Sequence, residues 1–373
     1  MAGISENISA WTTVVTINHI DVGNMTYFED YEDFTLDYSK IGASAPCAYE
    51  QYSANFLPAL YSTFFVLGFL GNILVPWVIM NGARVRNMTD VCLVNLALAD
   101  LALVCTLPFL AHQERSQWVF GEGMCKMVLG VYYIAFISGI FFVTMMSIDR
   151  YLAIVHAVYA MRVRTRTYGM IASLCVWIAG VLISLPELMV LGTFSHRNTD
   201  NVSLVYCKTV YKDQANLRAF DVFKINVLGF LVPTCIMGFC YFRILGRLYS
   251  IRSSKRQAVR LVILVMVVFL FCWAPYNVLY FLKGLEICHV LSKCNVSKFI
   301  ALGLQITEIL AYFHCCLNPV LYAFVGEKFR RHLFRLLSRV PCLPCRLIKS
   351  WLTTASGSVY SVSSSMDERT STV

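Results

Sequence analysis

A bundle of seven membrane-crossing α-helices is the fold this sequence predicts, and three observations predict it. Charge is scarce, with Asp, Glu, Lys and Arg making up 14% of 373 residues, where a soluble domain carries about 25%. Seven nearly uncharged runs follow one another along the chain, each close to the roughly 20 residues that a helix needs to cross a bilayer. Basic residues then fall mainly on one side of those runs. With 58% hydrophobic residues, 25 Phe and 20 Tyr, a disordered chain is excluded. Ten Pro without a Gly-X-Y period exclude collagen.

The runs are Pro58 to Met80, Val91 to Ala111 with Asp100 as its one charge, Met127 to Ile148, Thr167 to Pro186, Ile225 to Phe242, Leu261 to Leu282, and Phe299 to Val325 with Glu308 as its one acid. The fifth is short and is read as extending backwards through Lys224. All are too long for buried strands, and their all-round apolarity argues against surface helices. No internal repeat of 20–50 residues is evident, which weighs against a solenoid.

With the N-terminus outside, the inner segments carry 19 basic residues and the outer ones 10, as the positive-inside rule requires. The sequons at Asn7, Asn24, Asn201 and Asn295 then lie outside as glycosylation candidates, while that at Asn87 lies inside and is expected to stay unmodified. The first span is expected to act as the insertion signal, since no basic-then-apolar signal peptide opens the chain. Residues 1–57 hold eight acids and one base. The net charge of +9 is therefore a leaflet effect suited to anionic lipids and an acidic-faced partner, with no call for nucleic acid.

Of 15 Cys, Cys47, Cys125, Cys207, Cys288 and Cys294 lie outside, where an oxidising compartment favours pairing. Which of them pair is left open by the residues alone. Eight more lie in the spans and read as small buried apolar residues. Cys342 and Cys345 follow the last span and are lipidation candidates.

Ionisable groups inside spans are costly and point to function. Asp100 could meet Asn72, Asn95 and Asn318 if the helices bundle. A polar pocket holding water or sodium at Asp100 and Asn318 is one reading, and a hydrogen-bonded cluster with no ion is the other. Glu308 lies about two turns into the seventh span and is expected to face an outward-open cavity. His314 reads as a satisfied packing residue. Pro76, Pro108, Pro186, Pro233, Pro275 and Pro319 each remove a backbone bond and bend their helix.

One landmark appears in every span: Gly71-Asn72, Leu96-Ala97-Leu98-Ala99-Asp100, Asp149-Arg150-Tyr151, Trp177, Pro233 with Tyr241, Trp273 with Pro275, and Asn318-Pro319 with Tyr322. Together they resemble the rhodopsin-like (class A) G-protein-coupled receptors over roughly residues 45–340. Finer motifs resemble the CC chemokine receptors: the run from Asp149 through Ala157, Thr106-Leu107-Pro108, Trp118-Val119-Phe120-Gly121, and Thr307-Glu308 followed by His314-Cys315-Cys316-Leu317-Asn318-Pro319. The stretches Arg164 to Gly169 and Gly326 to Phe329 look most like the type 4 and type 8 branch.

The resemblance implies two bridges, Cys125 to Cys207 and Cys47 to Cys294, with Cys288 left over. It implies a chemokine ligand, a small basic secreted protein, whose N-terminal segment would enter a pocket formed by Glu308, Tyr61, Tyr132, Tyr276 and Trp118. Leu110 stands where the family often has Trp, so that pocket is expected to be less aromatic. In the acidic tail, Tyr27, Tyr31 and Tyr38 sit among carboxylates and suit a basic partner; the family commonly sulfates such tyrosines. A switch would use Asp149, Arg150, Tyr151, Tyr241, Trp273, Pro275, Asn318, Pro319 and Tyr322 to open a site for a heterotrimeric G protein of the Gi class. The start of the sixth helix, Lys255 to Arg260, holds no acid, so the off state should rest on packing, with Asp149 beside Arg150.

The expected organisation is an extracellular tail 1–52, a bundle 53–326, a basic amphipathic eighth helix 327–339 for the inner leaflet, and a Ser/Thr-rich cytoplasmic tail 340–373. That tail suits receptor kinases and arrestin, and its final Ser371-Thr372-Val373 fits a PDZ ligand. The expected location is the plasma membrane, with a homo- or heterodimer compatible with the sequence. No cofactor and no enzymatic activity are expected, since neither His-Glu-x-x-His nor Gly-x-Ser-x-Gly occurs. A transporter, the rival membrane class, would need paired charges or broken repeats in the spans.

Overall fold

A computed structural model describes residues 56–82, 87–197, 203–211, 214–250, 256–291 and 293–325, together with Phe329, Arg330, Leu333 and Leu336. All of them belong to the unit Ser44–Val373. Among these residues seven helical stretches are long and apolar enough to cross a membrane. The first is α1 (Phe56–Gly82). The second is broken into α2 (Met88–Val104) and α3 (Leu107–Arg115). The third, α4 (Gly121–Val155), leads through a short α5 (Ala157–Val163) to α6 (Arg166–Met189). An antiparallel hairpin of β1 (Leu191–Arg197) and β2 (Ser203–Thr209) follows. The fifth span joins α7 (Ala215–Asn226), a π-helical turn Val227–Leu231 and α8 (Val232–Ser250). The last two spans lie in α9 (Arg256–Ile287) and α10 (Cys294–Val325).

Local chemistry sets the breaks and starts. Pro108 has no N–H to continue α2, and the chain turns at Cys105 and Thr106 before restarting as α3, with Thr106 Oγ1 donating to Leu103 O at 2.7 Å. The kink read from Thr106-Leu107-Pro108 is thus a real break. Pro233 likewise deprives the fifth span of a bond, and the turn just before it widens so that Val232 N–H reaches Val227 O, five residues back. Asn87 and Thr165 cap α2 and α6, accepting from Asp90 N at 3.0 Å and Tyr168 N at 3.4 Å. The two cap residues also bridge each other, which ties the two helix starts together.

The third span is the hub, with 61% of its most apolar window buried against 22% for the fourth span. It packs on α2, α6 and α8. Gly180 lets α6 come close, because a Cβ there would collide with Ser138 Oγ of α4. Phe142, Phe269, Met237 and Val75 are fully buried in the main core. Leu70, Leu174 and Phe271 are instead 60%, 61% and 68% exposed on the outside of the bundle, a surface stable in lipid rather than water. A second, smaller core gathers Trp118, Cys125, Leu191 and Cys207 at the hairpin end.

Among the described residues the hairpin is the one strand pair, added to an otherwise helical fold. The eighth helix is not established: of 327–339 only Phe329, Arg330, Leu333 and Leu336 are described. Phe329, Leu333 and Leu336 are buried.

Candidate functional site

A cavity of about 290 Å³ opens at the hairpin end. Tyrosines dominate its wall: Tyr61, Tyr132, Tyr133, Tyr276, Tyr280 and Tyr312. Glu308 stands among them and accepts from Tyr312 O–H, one helical turn on, at 2.7 Å. Tyr312 O–H also lies 3.4 Å from Tyr132 Oη, and its ring meets Tyr61 edge-on at 5.3 Å. The carboxylate is therefore held by α10 itself and packed by α1 and α4. Below it Phe136 stacks parallel to Tyr132 and reaches Trp273 at 4.9 Å, so an aromatic column runs from the cavity floor into the core.

The hairpin closes one side of the mouth. The Cys125–Cys207 disulfide joins β2 to the start of α4 with a Cα separation of 5.5 Å. Cys207 N–H donates to Gln113 Oε1 at 2.7 Å, and Trp118 N–H to Val205 O, also at 2.7 Å. Gly121, at φ +79°, holds the turn into α4, a conformation that favours glycine. It lets Trp118 Nε1 donate to Gly121 O at 2.8 Å. Lys208 of β2 lines the cavity and lies 4.1 Å from the Phe194 ring. Partial burial, with Arg218 nearby, pulls its ammonium below the ordinary lysine range.

Behind the wall, Lys224 bridges Glu187 Oε2 at 2.7 Å and Asp221 Oδ1 at 3.2 Å, all three side chains under 9% exposed. In mid-bundle, Asn318 Nδ2 donates to Asp100 Oδ2 at 2.8 Å. At the opposite end, Asp149 is wholly buried and takes Arg164 through Nε at 2.7 Å and a terminal nitrogen at 3.0 Å, plus Thr89 O–H at 2.7 Å. Its neighbour Arg150 stays 3.8 Å away. One helical turn before Arg150, Ser147 Oγ and Tyr241 Oη share a hydrogen bond of 3.0 Å.

Comparison with known proteins matches residues 71–322 to the family described as "7 transmembrane receptor (rhodopsin family)". The chain is 41% identical over 358 residues to the human C-C chemokine receptor type 4, covering 93% of this chain and 97% of that protein. It is 42% identical over 321 residues to the mouse C-C chemokine receptor type 8, covering 85% and 87%. The chain belongs to the rhodopsin family of seven-transmembrane receptors, in its CC chemokine receptor branch. It is a multi-pass membrane receptor and not an enzyme.

In this receptor Glu308, Tyr61, Tyr132 and Tyr276 come together at one cavity. Trp118 does not join them: it is 2% exposed and packs with the disulfide in the hairpin-end core. Its backbone N–H donates to Val205 O of the hairpin and its indole N–H to Gly121 O. Asn72 and Asn95 do not meet Asp100 either. Asn72 donates to Gly68 O and Cys315 O, while Asn95 accepts from Trp177 Nε1 at 3.0 Å. Asp149 was expected to hold Arg150, yet its closest cation is Arg164. His314 packs between Phe269 and Trp273, but its Nε2 has no hydrogen-bond partner among the described residues, so it is not fully satisfied.

A hard cation wants oxygen donors. Around Asp100 the donors are mixed: Asp100 accepts from Asn318 Nδ2, the Asn318 amide oxygen is buried with no hydrogen-bond partner among the described residues, and the Cys315 thiol lies beside them. No group of three His, Cys, Asp or Glu side chains that could hold a metal occurs among the described residues.

Tyr151 bonds His156 Nε2 at 3.0 Å. Pro275 and Pro319 lie inside α9 and α10. Cys294 is disulfide-bonded and Cys288 is a free, exposed thiol. Asn295 is exposed in the first turn of α10. Tyr27, Tyr31, Tyr38, Asn7, Asn24, Asn201, Cys47, Cys342, Cys345 and the Tyr322 side chain lie outside the described residues. Sequence reading missed Tyr312, Tyr280, Glu114, Lys208, Arg164 and the Glu187, Asp221 and Lys224 group. Tyr312 had a signal, since it stands one helical turn after Glu308. Tyr280 is one more aromatic inside the sixth apolar run, and the others read as ordinary loop or span-end charges.

Proposed function

We propose that this receptor binds a chemokine at its hairpin end and activates a Gi-class heterotrimeric G protein at the opposite end, raising cytosolic calcium and directing cell migration. The observation that carries this reading is Glu308, a carboxylate seated in a tyrosine-walled cavity of a chain 41% identical to a chemokine receptor. A ligand's N-terminal ammonium would pair with Glu308, in a site where low dielectric makes that pair count for more than one in water. The acidic tail 1–52, with Tyr27, Tyr31 and Tyr38, would attract a basic ligand and raise its on-rate.

The hairpin end is extracellular in this reading, which puts the N-terminus outside and the basic segments on the cytoplasmic face. Asn7, Asn24, Asn201 and Asn295 then carry glycans, and Cys47 pairs with Cys294. Inside, residues 327–339 lie on the leaflet as an amphipathic helix, Cys342 and Cys345 take acyl chains, and 340–373 engage receptor kinases and arrestin. Movement of the sixth span about Pro275 would uncover Arg150 for the G protein, with Trp273, Tyr241, Asn318, Pro319 and Tyr322 repacking.

A calcium-flux screen of purified chemokines on transfected cells tests the reading. At least one chemokine should evoke a pertussis-toxin-sensitive response that Arg150→Asn abolishes while binding persists. Binding with internalisation and no response in wild-type cells would mark a scavenger instead.

A further inference from the structure

Two cations stand at the hairpin side of the cavity. Lys208 of β2 lines it, next to the disulfide-bonded Cys207. Ties on both sides fix this stretch of strand: Cys207 N–H donates to Gln113 Oε1, and Val210 N–H donates to Val190 O, each at 2.7 Å. In the hairpin register Lys208 faces Gly192, with Phe194 on the diagonal, and its ammonium lies 4.1 Å from the centre of the Phe194 ring. An aromatic face attracts a cation but carries no charge to neutralise it. Arg218, exposed near the start of α7, is within electrostatic reach of Lys208 and of the lining Tyr280.

Among the described residues neither Lys208 nor Arg218 forms a salt bridge. Lys224, deeper in the same wall, differs: Glu187 and Asp221 both hold it. The acids of the cavity, Glu308 and Glu114, belong to α10 and α3, and the charge that acts on Lys208 is that of Arg218. Two like charges near a partly desolvated rim repel, and an anion that meets both relieves the repulsion.

We infer that Lys208 and Arg218 form an anion subsite at the mouth of the cavity, which takes a carboxylate side chain of the ligand's entering segment. This rests on the reading of the cavity as the receiver of a ligand's N-terminal segment. The segment is then read by charges of both signs, an ammonium at Glu308 and an acid at Lys208. A segment with basic side chains at the mouth is repelled there, and one without an acid leaves both cations uncompensated.

The test uses amidated hexapeptides with a free N-terminus and otherwise uncharged side chains. A single glutamate is placed in turn at positions two to five, with glutamine there in the control. Each is titrated by calorimetry against the purified full-length receptor in nanodiscs. At one position or more, glutamate should tighten binding to the wild type by about tenfold, the order of effect of a partly desolvated charge pair. Lys208→Gln should abolish that gain and Arg218→Gln should reduce it, while Lys208→Arg, which keeps the charge, should retain part of it. Acetylating the N-terminus should weaken binding to the wild type and to Lys208→Gln by the same factor, because that contact is made at Glu308. Sodium sulfate alone forms a second arm, and it should give no saturable binding that depends on Lys208.

A glutamate gain at no position, a gain that survives in Lys208→Gln, or a wild type that binds none of the peptides overturns the assignment. Saturable sulfate binding that Lys208→Gln removes also overturns it, and marks a site for a free anion instead. If the glutamate gain appears while no chemokine evokes a calcium response, the subsite stands and the chemokine reading fails. A chemokine response without any glutamate gain leaves that reading standing and removes the subsite.

Discussion

Asp149 illustrates how one side chain can be read correctly and partnered wrongly. From sequence, its nearest cation is the adjacent Arg150. In space, the fork of Arg164 reaches it with two bonds of 2.7 and 3.0 Å, and Thr89 adds a third. A charge-assisted, two-pronged contact is stronger than a single approach at 3.8 Å. Asp149 therefore fastens the segment between α5 and α6 to the ends of α2 and α4, and Arg150 is only loosely held. Arg164→Gln should cost about 2 kcal/mol of stability, the scale of hydrogen bonds to a charged group, read as a lower melting temperature of the purified receptor. It should also let Asp149 turn to Arg150 and reduce ligand-driven signalling. Unchanged stability and signalling would remove Arg164 from this role. At the other end, Glu308→Gln keeps a hydrogen-bond acceptor for Tyr312 but loses the charge. Calcium potency should fall by far more than chemokine affinity, since the tail contacts persist. Equal losses would take Glu308 out of the signalling contact.

Among the elements, the fifth span separates what hydropathy reveals from what it hides. The uncharged run starts at Ile225, whereas the helix starts at Ala215 and carries Asp221 and Lys224 inside it. An apolar window detects lipid exposure, not helix length, and charges that neutralise one another in the interior look like a span boundary. Lys224, held by Glu187 and Asp221, shows that such pairing joins the fourth and fifth spans. Lys224→Met would leave two buried carboxylates without their cation, at a cost of roughly 3–5 kcal/mol. Surface expression should drop sharply, and adding Glu187→Gln should restore part of it. Full expression of Lys224→Met alone would contradict a structural role. The hairpin escaped sequence reading for a different reason. Its strands gain their order from long-range ties, the disulfide to α4 and the bonds that Cys207 N–H and Val205 N–H donate to Gln113 Oε1 and Gln117 Oε1, which no local pattern encodes. The proline breaks were legible because a missing N–H is a local property.

At the scale of the molecule, the seven spans were legible because a bilayer demands long uncharged helices. The family was legible because one landmark falls in each span. The site was legible only in part. Glu308 stood out as an acid within an apolar run, and it does line the cavity. Glu114 sits beside Arg115 at the end of a span, where a charge is unremarkable, and only the fold carries it to the same cavity. Trp118 was assigned to the cavity by resemblance, but the short loop between α3 and α4 turns its indole towards the disulfide. In the proposed function, occupation of the cavity at one end changes the surface around Arg150 at the other, along packing that includes Tyr132, Phe136 and Trp273. The decisive measurement is guanine-nucleotide exchange on purified Gi, driven by the receptor in nanodiscs. A chemokine from the calcium screen should accelerate exchange, Glu308→Gln should largely remove the acceleration, and Arg150→Asn should abolish it with chemokine still bound. Acceleration that persists in Arg150→Asn, or a bound chemokine that leaves exchange by the wild type unchanged, would contradict it.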